Sequence, residues 1–137
     1  LLKNSITVVK RLSGEKTICD LDKIDQVLPE MLVNIQKKMF DAVYNKQQEL
    51  IKMATTWISF CEAVEQDKFI LAPWCETIES EEWIKEQTKN LESIGGLKGS
   101  VKSLCIPFAQ IDMPKEQLCV TGNGLKATRW CLFGRSY

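Results

Sequence analysis

The sequence predicts an α+β fold, in which a long amphipathic helix and two shorter helices pack on a small antiparallel sheet. Apolar side chains recur at three- and four-residue steps after Pro29, as on one face of a long helix. Two compact apolar runs, residues 68–75 and 101–108, have the composition of buried strands. The last run, residues 127–137, mixes aromatic and apolar side chains with arginine. It predicts a strand that ties the end of the sequence into the sheet, although chain ends usually fray.

The first predicted element is a β-hairpin, or the last strand of a preceding domain with a short return. Residues 5–12 alternate between apolar and polar positions, and a Ser-Gly pair can turn the chain into residues 16–19. A long amphipathic helix is expected over residues 26–53, with Pro29 near its first turn. It could be a coiled-coil partner helix, but the polar run at residues 45–48 interrupts its stripe and favours a core-facing helix.

Two shorter helices and the remaining strands follow. Thr55 or Thr56 can cap the first of these helices, and Ser80 can cap the second. The glycine-rich residues 94–100 follow a helix and precede a strand. A phosphate-binding loop has the opposite order, so we expect no phosphate site there. Residues 118–124 contain two glycines and an Asn-Gly pair, which predicts a hairpin turn before the terminal strand.

The composition excludes several function classes. The 137 residues carry 18 basic and 18 acidic side chains, whereas autonomous nucleic-acid-binding domains are usually strongly basic. The sequence has no histidine, which excludes Ser-His-Asp and Cys-His catalysis and histidine-based zinc proteases. No apolar run approaches the ~18 residues of a membrane span. Because the sequence has no initiator methionine and no signal peptide at its start, we expect that it begins inside a longer protein.

Six cysteines are spread along the chain, at least ten residues apart, so the Cys-x-x-Cys spacing of zinc ribbons and redox motifs is absent. Without a secretory signal, free and reduced thiols are expected. Cys105 and Cys131 fall inside predicted strands and should react slowly, whereas Cys75 or Cys119 should react first. The six are Cys19, Cys61, Cys75, Cys105, Cys119 and Cys131.

Four segments in order resemble the C-terminal, zinc-binding-type domain of the eukaryotic and archaeal prolyl-tRNA synthetases. They are Phe69-Ile-Leu-Ala-Pro-Trp-Cys75, Glu82-Trp-Ile-Lys85 with Thr88, Lys102-Ser-Leu-Cys-Ile-Pro-Phe108 and Leu132-Phe-Gly-Arg-Ser-Tyr137. Residues 8–16 resemble the closing strand of that family's anticodon-binding domain, and the long helix resembles its connector. The resemblance therefore implies a hairpin of an anticodon-binding domain over residues 1–21 and a C-terminal domain over residues 22–137.

The resemblance implies part of a class II aminoacyl-tRNA synthetase, a cytoplasmic homodimer that ligates proline to tRNA(Pro) in protein biosynthesis. The catalytic core, which binds proline, ATP and magnesium, would lie outside these residues. The fragment would then be accessory and would brace the anticodon-binding domain against the catalytic domain. The alternative is an independent, non-enzymatic protein-interaction module whose long helix docks on a partner. An unrelated small enzyme is disfavoured, because no nucleophile is paired with a base.

The family resemblance also locates a degenerate metal site. Many members carry four cysteines, as Cys-x4-Cys and Cys-x-Cys; Cys75 and Cys119 match the first and third, whereas Ser80 and Thr121 stand at the second and fourth. Hydroxyls are poor zinc ligands, so we expect no metal and no zinc cofactor. A Cys75–Cys119 disulfide is conceivable at this site, although a reducing cytosol argues against it.

The end of the sequence is the last candidate site. The resemblance implies that Tyr137 lies near the active site of the complete enzyme and directs its α-carboxylate towards it. Gly134 would allow a close backbone approach, and Arg135 could pair with an acid across the interface. The plainer alternative is a strand that only completes the sheet.

Overall fold

The computed structural model describes residues 4–96 and 98–135. The chain forms two compact units, Leu1–Gln47 and Gln48–Tyr137. Among the described residues, no helix combines the length and the apolar character needed to cross a membrane. The α+β class that the sequence predicts is confirmed, because three α-helices accompany two small sheets.

The first unit opens with the predicted hairpin. Strands β1 (Ser5–Val9) and β2 (Lys16–Asp20) pair antiparallel. Gly14 closes the turn with φ of +71°, a value that favours glycine. The Lys10 ammonium lies 2.9 Å from the Glu15 carboxylate and lowers the pKa of that carboxyl. The hairpin is confirmed, and a short 3-10 turn leads from it into the long helix.

The long helix α1 spans Ile24–Leu50, so it begins before the predicted start, and Pro29 lies inside it rather than near its first turn. The prediction of a core-facing helix is wrong for this chain, because none of the residues of α1 is buried. Leu32 and Phe40 are 66% and 63% exposed. The periodic stripe identified which face of the helix is apolar, but periodicity carries no information on what covers that face.

The second unit is built on a four-stranded sheet in the order β3-β4-β6-β5. The β4–β6 and β5–β6 pairs are antiparallel as expected, but β3 pairs parallel with β4. The expectation of a wholly antiparallel sheet and of a helix through residue 53 therefore needs correction. Helix α2 connects β3 to β4 as a crossover, which is the connection that parallel neighbours require. The elements of this unit are β3 (Ile51–Met53), α2 (Trp57–Glu65), β4 (Phe69–Trp74), α3 (Ile78–Thr88), β5 (Val101–Cys105) and β6 (Arg129–Arg135).

The core of this unit lies between the sheet and helices α2 and α3. Phe60 of α2 and Phe133 of β6 are both fully buried, and their rings meet edge to face at 5.5 Å. The Trp74 ring lies 5.9 Å from Phe133 in the same geometry. Burying a side chain such as Phe133 stabilises the fold by about 1.5–3 kcal/mol. Ile84 brings α3 into the same cluster.

Two threonine side chains hold helix ends in place, one at the start of α2 and one at the end of α3. Thr56 caps α2 with a reciprocal capping box that includes Ser59, which confirms one of the two predicted caps. At the far end of α3, the buried Thr88 hydroxyl donates to the Ile84 carbonyl and accepts from the Val101 amide, both at 2.8 Å. Thr88 thus joins the last turn of α3 to the first residue of β5.

The thiols of the inner strand β6 and the edge strand β5 differ in burial. Cys131 in β6 is 1% exposed, and burial raises the pKa of its thiol to about 12, so the expected slow reaction fits its place in the fold. Cys105 is exposed, so the expectation that it is shielded in a strand is wrong. It ends the edge strand β5, where a register shift after Ser103 interrupts the ladder with β6. Such bulges are common at sheet edges.

Candidate functional site

The four residues at the degenerate metal positions come from three segments that the fold brings together. Cys75 directly follows β4, Ser80 lies in the first turn of α3, and Cys119 and Thr121 lie in the hairpin that precedes β6. The Val120 amide donates to the Pro73 carbonyl at 2.9 Å. That bond forms beyond the part of β4 that β3 covers, so Pro73 sits where its strand is locally an edge.

The hairpin has the turn chemistry that the sequence predicts. The Cys119 amide donates to the Leu125 carbonyl at 2.9 Å, and Leu118 forms an isolated bridge with Lys126. Gly122 and Gly124 adopt φ of +71° and +78°, which favour glycine. Cys119 is thereby fixed by main-chain contacts on both sides.

Ser80 does not cap α3, contrary to the prediction; the cap is Thr77. The Thr77 hydroxyl accepts a hydrogen bond from the Ser80 amide at 3.3 Å. The Ser80 hydroxyl donates to the Thr77 carbonyl and accepts from the Trp74 indole Nε1, both at 2.7 Å. Serine is the somewhat stronger helix cap, so intrinsic preference favoured the wrong one of two hydroxyls three residues apart.

Cys75 is a buried thiol, 8% exposed, surrounded by hydrogen-bond donors. The Thr77 hydroxyl and the Asn123 amide nitrogen each lie 3.6 Å from its sulfur. Burial acts to raise the pKa of Cys75, but hydrogen bonds from Ser80, Asn123, Thr77 and Cys119 lower it from 9.0 to about 7. The single proton of Ser80 is already donated to the Thr77 carbonyl, so Asn123, Thr77 and Cys119 are the donors that remain for a thiolate.

Cys119 has the opposite character. It is 3% exposed, and burial raises the pKa of its thiol despite a hydrogen bond from the Thr121 hydroxyl at 3.2 Å. Asn123, which contacts Cys75, was not singled out from the sequence. Its place after a glycine in a hairpin turn was the available signal, but turn chemistry alone explained that residue.

The donor set does not fit a structural zinc site. Zinc takes four tetrahedral ligands, and here only Cys75 and Cys119 offer thiolates. The hydroxyls of Ser80 and Thr121 are engaged in hydrogen bonds within the protein. Across residues 4–96 and 98–135, no group of three or more His, Cys, Asp or Glu side chains is placed to hold a metal ion.

A surface cavity of about 410 Å³ adjoins the cluster. Its wall includes Ser80 and Thr121 from the degenerate site and Asn123, which contacts the Cys75 sulfur. The cavity therefore lies one side chain away from each of the two thiols, since Asn123 contacts Cys75 and Thr121 contacts Cys119. Its lining residues are Glu79, Ser80, Trp83, Thr121, Gly122 and Asn123.

Arg135, the other candidate site residue that the structure describes, forms its polar contacts within its own unit. Its guanidinium donates to the carbonyls of Gly99 at 2.7 Å and Leu91 at 2.9 Å. Its Nε lies 3.9 Å from a carboxylate oxygen of Asp67, an ionic contact that is too long for a hydrogen bond. The other oxygen of Asp67 accepts from the Gly95 amide at 2.9 Å. Sequence reasoning missed Asp67, because a single acid between a helix and a strand gives no signal.

Gly134 also makes a close approach inside the sheet. A Cβ atom on Gly134 would lie 2.9 Å from a methyl carbon of Leu104 and 3.0 Å from the Phe69 ring. Any side chain there would force these neighbours apart. Tyr137 lies outside the described residues, so its place near an active site stays a prediction, as does the proximity of Arg135.

One known protein family matches more than half of the chain. A family model described as prolyl-tRNA synthetase, C-terminal, matches residues 57–137. The chain belongs to this prolyl-tRNA synthetase C-terminal family. The resemblance drawn from the four sequence segments is thereby confirmed.

Relatives of this family match nearly the whole chain. It is 33% identical over 137 residues to the cytoplasmic proline–tRNA ligase of Arabidopsis thaliana, covering 100% of this chain and 24% of the relative. It is 33% identical over 146 residues to a putative proline–tRNA ligase of Saccharomyces cerevisiae, covering 98% of this chain and 20% of that protein.

A solved structure agrees with the fold. The crystal structure of prolyl-tRNA synthetase from Cryptosporidium parvum, complexed with halofuginone and AMPPNP, matches with a TM-score of 0.86 and 33% identity. The match covers 98% of this chain and 26% of that one. The chain thus spans about a quarter, or less, of the relatives that it matches.

Proposed function

We propose that the chain is the C-terminal part of a proline–tRNA ligase and serves that enzyme as an accessory domain. The observation that carries the proposal is the 0.86 TM-score over 98% of the chain at 33% identity to a prolyl-tRNA synthetase. In this role the domain braces the anticodon-binding domain against the catalytic domain. The class II catalytic core lies outside these residues.

The complete enzyme would attach proline to tRNA(Pro) at the expense of ATP, with proline, ATP and magnesium bound in the catalytic domain. We propose that it works as a homodimer in the cytoplasm, and the name of the Arabidopsis relative supports that compartment. No step of the reaction is assigned to the residues of this chain. Their contribution is to hold the other domains in place.

We further propose that residues 1–21 close an anticodon-binding domain and that residues 22–137 form the C-terminal domain. The hairpin belongs to a compact unit that ends at Gln47, and the family model begins only at residue 57. Both observations support a chain in two parts, although the compact unit and the family model divide near the end of α1 and not at residue 21. Helix α1 then serves as the connector between the two domains.

The end of β6 supports a role for the terminus. β6 pairs with a neighbour on each side. Its last described residue, Arg135, is anchored by hydrogen bonds to the carbonyls of Leu91 and Gly99. We propose that Arg135 is a positioning residue, which fixes the strand end so that Tyr137 presents its α-carboxylate near the active site. A carboxylate held in this way is charged at neutral pH, because its reference pKa is about 3.5.

The exposed apolar face of α1 supports a second candidate, an independent protein-interaction module. Leu32, Phe40 and Val43 are all more than half exposed on this helix, and Leu32 and Phe40 also line a groove along it. In an independent module this face would receive a partner protein. In a synthetase it would pack within the complete enzyme.

Proline-dependent ATP–pyrophosphate exchange and prolylation of tRNA(Pro) test the proposal on the complete protein that contains these residues. We expect exchange that requires proline and is absent with alanine. A protein with neither exchange nor prolylation, and without a class II catalytic core upstream of Leu1, would contradict the ligase and favour the interaction module.

A further inference from the structure

Two cysteines that are far apart in the sequence meet in the cluster beside the cavity. Cys75 follows β4 and Cys119 lies in the hairpin, and Thr121 and Asn123 of that hairpin donate to the sulfurs of Cys119 and Cys75 respectively. The Val120–Pro73 bond joins the residues next to them at 2.9 Å. A main-chain hydrogen bond therefore holds together the two segments that carry the cysteines.

The surroundings give the two sulfurs different roles. The sulfur of Cys75 accepts from the Thr77 hydroxyl and the Asn123 amide, and such donors stabilise the nucleophilic thiolate. The sulfur of Cys119 accepts one side-chain hydrogen bond, from Thr121. Cys75 is thus arranged to attack first and Cys119 to attack second.

A small oxidant can reach this pair even though both thiols are buried, at 8% and 3% exposure. The cavity wall includes Asn123 and Thr121, which contact the Cys75 and Cys119 sulfurs respectively. Hydrogen peroxide is little larger than water and passes where a bulky reagent cannot. The hydroxyls of Ser80 and Thr121 also leave the two sulfurs free to react. Cysteines at those two positions would complete a set of four thiolates, and a metal ion bound there would occupy both sulfurs.

We propose that Cys75 and Cys119 are a site of reversible modification by hydroperoxides, which converts the two thiols into a disulfide. The Cys75 thiolate attacks one oxygen of hydrogen peroxide, the O–O bond breaks, and the released hydroxide takes up a proton to become water. Cys75 is then a sulfenic acid. The Cys119 sulfur gives up its proton and attacks the sulfenic sulfur, and the second oxygen leaves as water.

The step balances, since the two thiols lose two electrons and one peroxide is reduced to two waters. The sulfurs move to a separation of about 2.05 Å, which ties the hairpin covalently to the end of β4. Asn123 and Thr121 then lose their sulfur acceptors. A thiol reductant such as dithiothreitol reverses the change.

Cys105 provides the internal comparison. It is exposed, whereas Cys75 is buried. If exposure alone set the rate, Cys105 would be oxidised first. If the cluster activates Cys75, the buried thiol reacts at least ~10-fold faster than Cys105.

The test treats the reduced, complete protein that contains this chain with one equivalent of hydrogen peroxide, alkylates the remaining thiols and maps the peptides by mass spectrometry. We expect a linked Cys75–Cys119 peptide as the main oxidised product, removed by dithiothreitol, while Cys105 stays alkylated. Cys119→Ser, oxidised while folded and then unfolded in the presence of dimedone, should show a dimedone-trapped sulfenic acid at Cys75. Cys75→Ser should abolish both products, and Cys105→Ser is the matched control that leaves the link intact.

The wild-type map decides the proposal even if a variant fails to fold. Preferential oxidation of Cys105, or oxidised protein without the Cys75–Cys119 link, would overturn it. A folded Cys119→Ser variant that gives no dimedone adduct at Cys75 would also overturn it, because Cys75 would then not be the attacking thiol.

Discussion

The indole nitrogen of Trp74 donates a hydrogen bond of 2.7 Å to the hydroxyl of Ser80. This bond joins the last residue of β4 to the first turn of α3, at one of the four positions of the degenerate metal site. The Ser80 hydroxyl in turn donates a hydrogen bond to the Thr77 carbonyl. The three residues form a chain of hydrogen bonds in which each donor has an acceptor.

Replacing Ser80 with alanine should destabilise the domain. The Trp74 nitrogen and the Thr77 carbonyl would lose their partner, and an unpaired group in a buried setting costs about 1–3 kcal/mol. Urea unfolding measures the change in the free energy of unfolding. A double-mutant cycle with Trp74→Phe isolates the bond; additive losses in the two single variants would show that Trp74 and Ser80 are not coupled.

Restoring two thiolates should create a metal site. The variant that combines Ser80→Cys with Thr121→Cys places four thiolates in the cluster, and structural zinc binds such sites with about 10–16 kcal/mol. We expect one Co²⁺ per chain, with thiolate charge-transfer absorption, in this variant but not in the wild type. Ser80→Cys alone is the control. Stoichiometric zinc in the purified wild-type protein, or a melting temperature lowered by a chelator, would contradict the metal-free interpretation.

The reactivity of Cys75 should depend on pH around neutrality. Although burial acts to raise it, hydrogen bonds lower the pKa of the Cys75 thiol, and only the thiolate is alkylated, so the rate should rise with pH at lower values than for an ordinary thiol and then level off. Asn123→Ala removes a donor to the thiolate and should move this profile to higher pH. Cys131, whose pKa is about 12, should stay unreactive over the same range. Mass spectrometry after timed labelling reports each cysteine separately.

Arg135 and Arg129 offer a matched pair for testing buried against exposed ion pairs. Arg135→Ala leaves Asp67 without its cation in a site where the two side chains are 6% and 20% exposed, so we expect a loss of about 3 kcal/mol. Arg129 pairs with Glu76 at 3.3 Å, but its side chain is 59% exposed, so Arg129→Ala should cost less than about 1 kcal/mol. Equal losses in urea unfolding would argue against Arg135 as the anchor of β6.

Tyr137 tests the role of the terminus in the complete enzyme. Deleting it, or appending a few residues, should slow proline activation at least ~10-fold, which corresponds to about 1.4 kcal/mol of transition-state stabilisation. The melting temperature should change little, because the anchors of β6 stay in place. ATP–pyrophosphate exchange compares the forms, with the same residues appended at the other end as control. Equal rates would leave Tyr137 a purely structural end.

Sequence patterns were reliable where one local rule governed the structure. The Ser-Gly turn of the hairpin, the Thr56 cap and the apolar runs of β4 and β6 are confirmed. Residues 51–53 continue an apolar stripe at helical spacing, yet they form β3, because pairing with β4 outweighs the helical preference of three residues. Thr77 caps α3 in place of Ser80, the intrinsically somewhat stronger cap.

The interior of the site was less accessible to sequence reasoning. That Cys75 and Cys119 meet follows from the family resemblance, but their different acidities depend on Asn123, Thr77 and the depth of each sulfur. Those are properties of the folded chain. The Arg135–Asp67 contact likewise joins residues that no local pattern connects.

The hydroxyl of Thr88 fixes the residue at which β5 begins, independently of the path that the preceding loop takes. This one hydroxyl bonds both the Val101 amide and the Ile84 carbonyl in the last turn of α3. The start of the strand is therefore tied directly to the helix, whatever the conformation of the residues that connect the two. Surface loops tolerate insertions well when their ends are pinned. The segment between Thr88 and Val101 could therefore take a peptide epitope or a fluorophore without moving the start of β5, provided that the insertion leaves the Leu91 and Gly99 carbonyls in contact with Arg135.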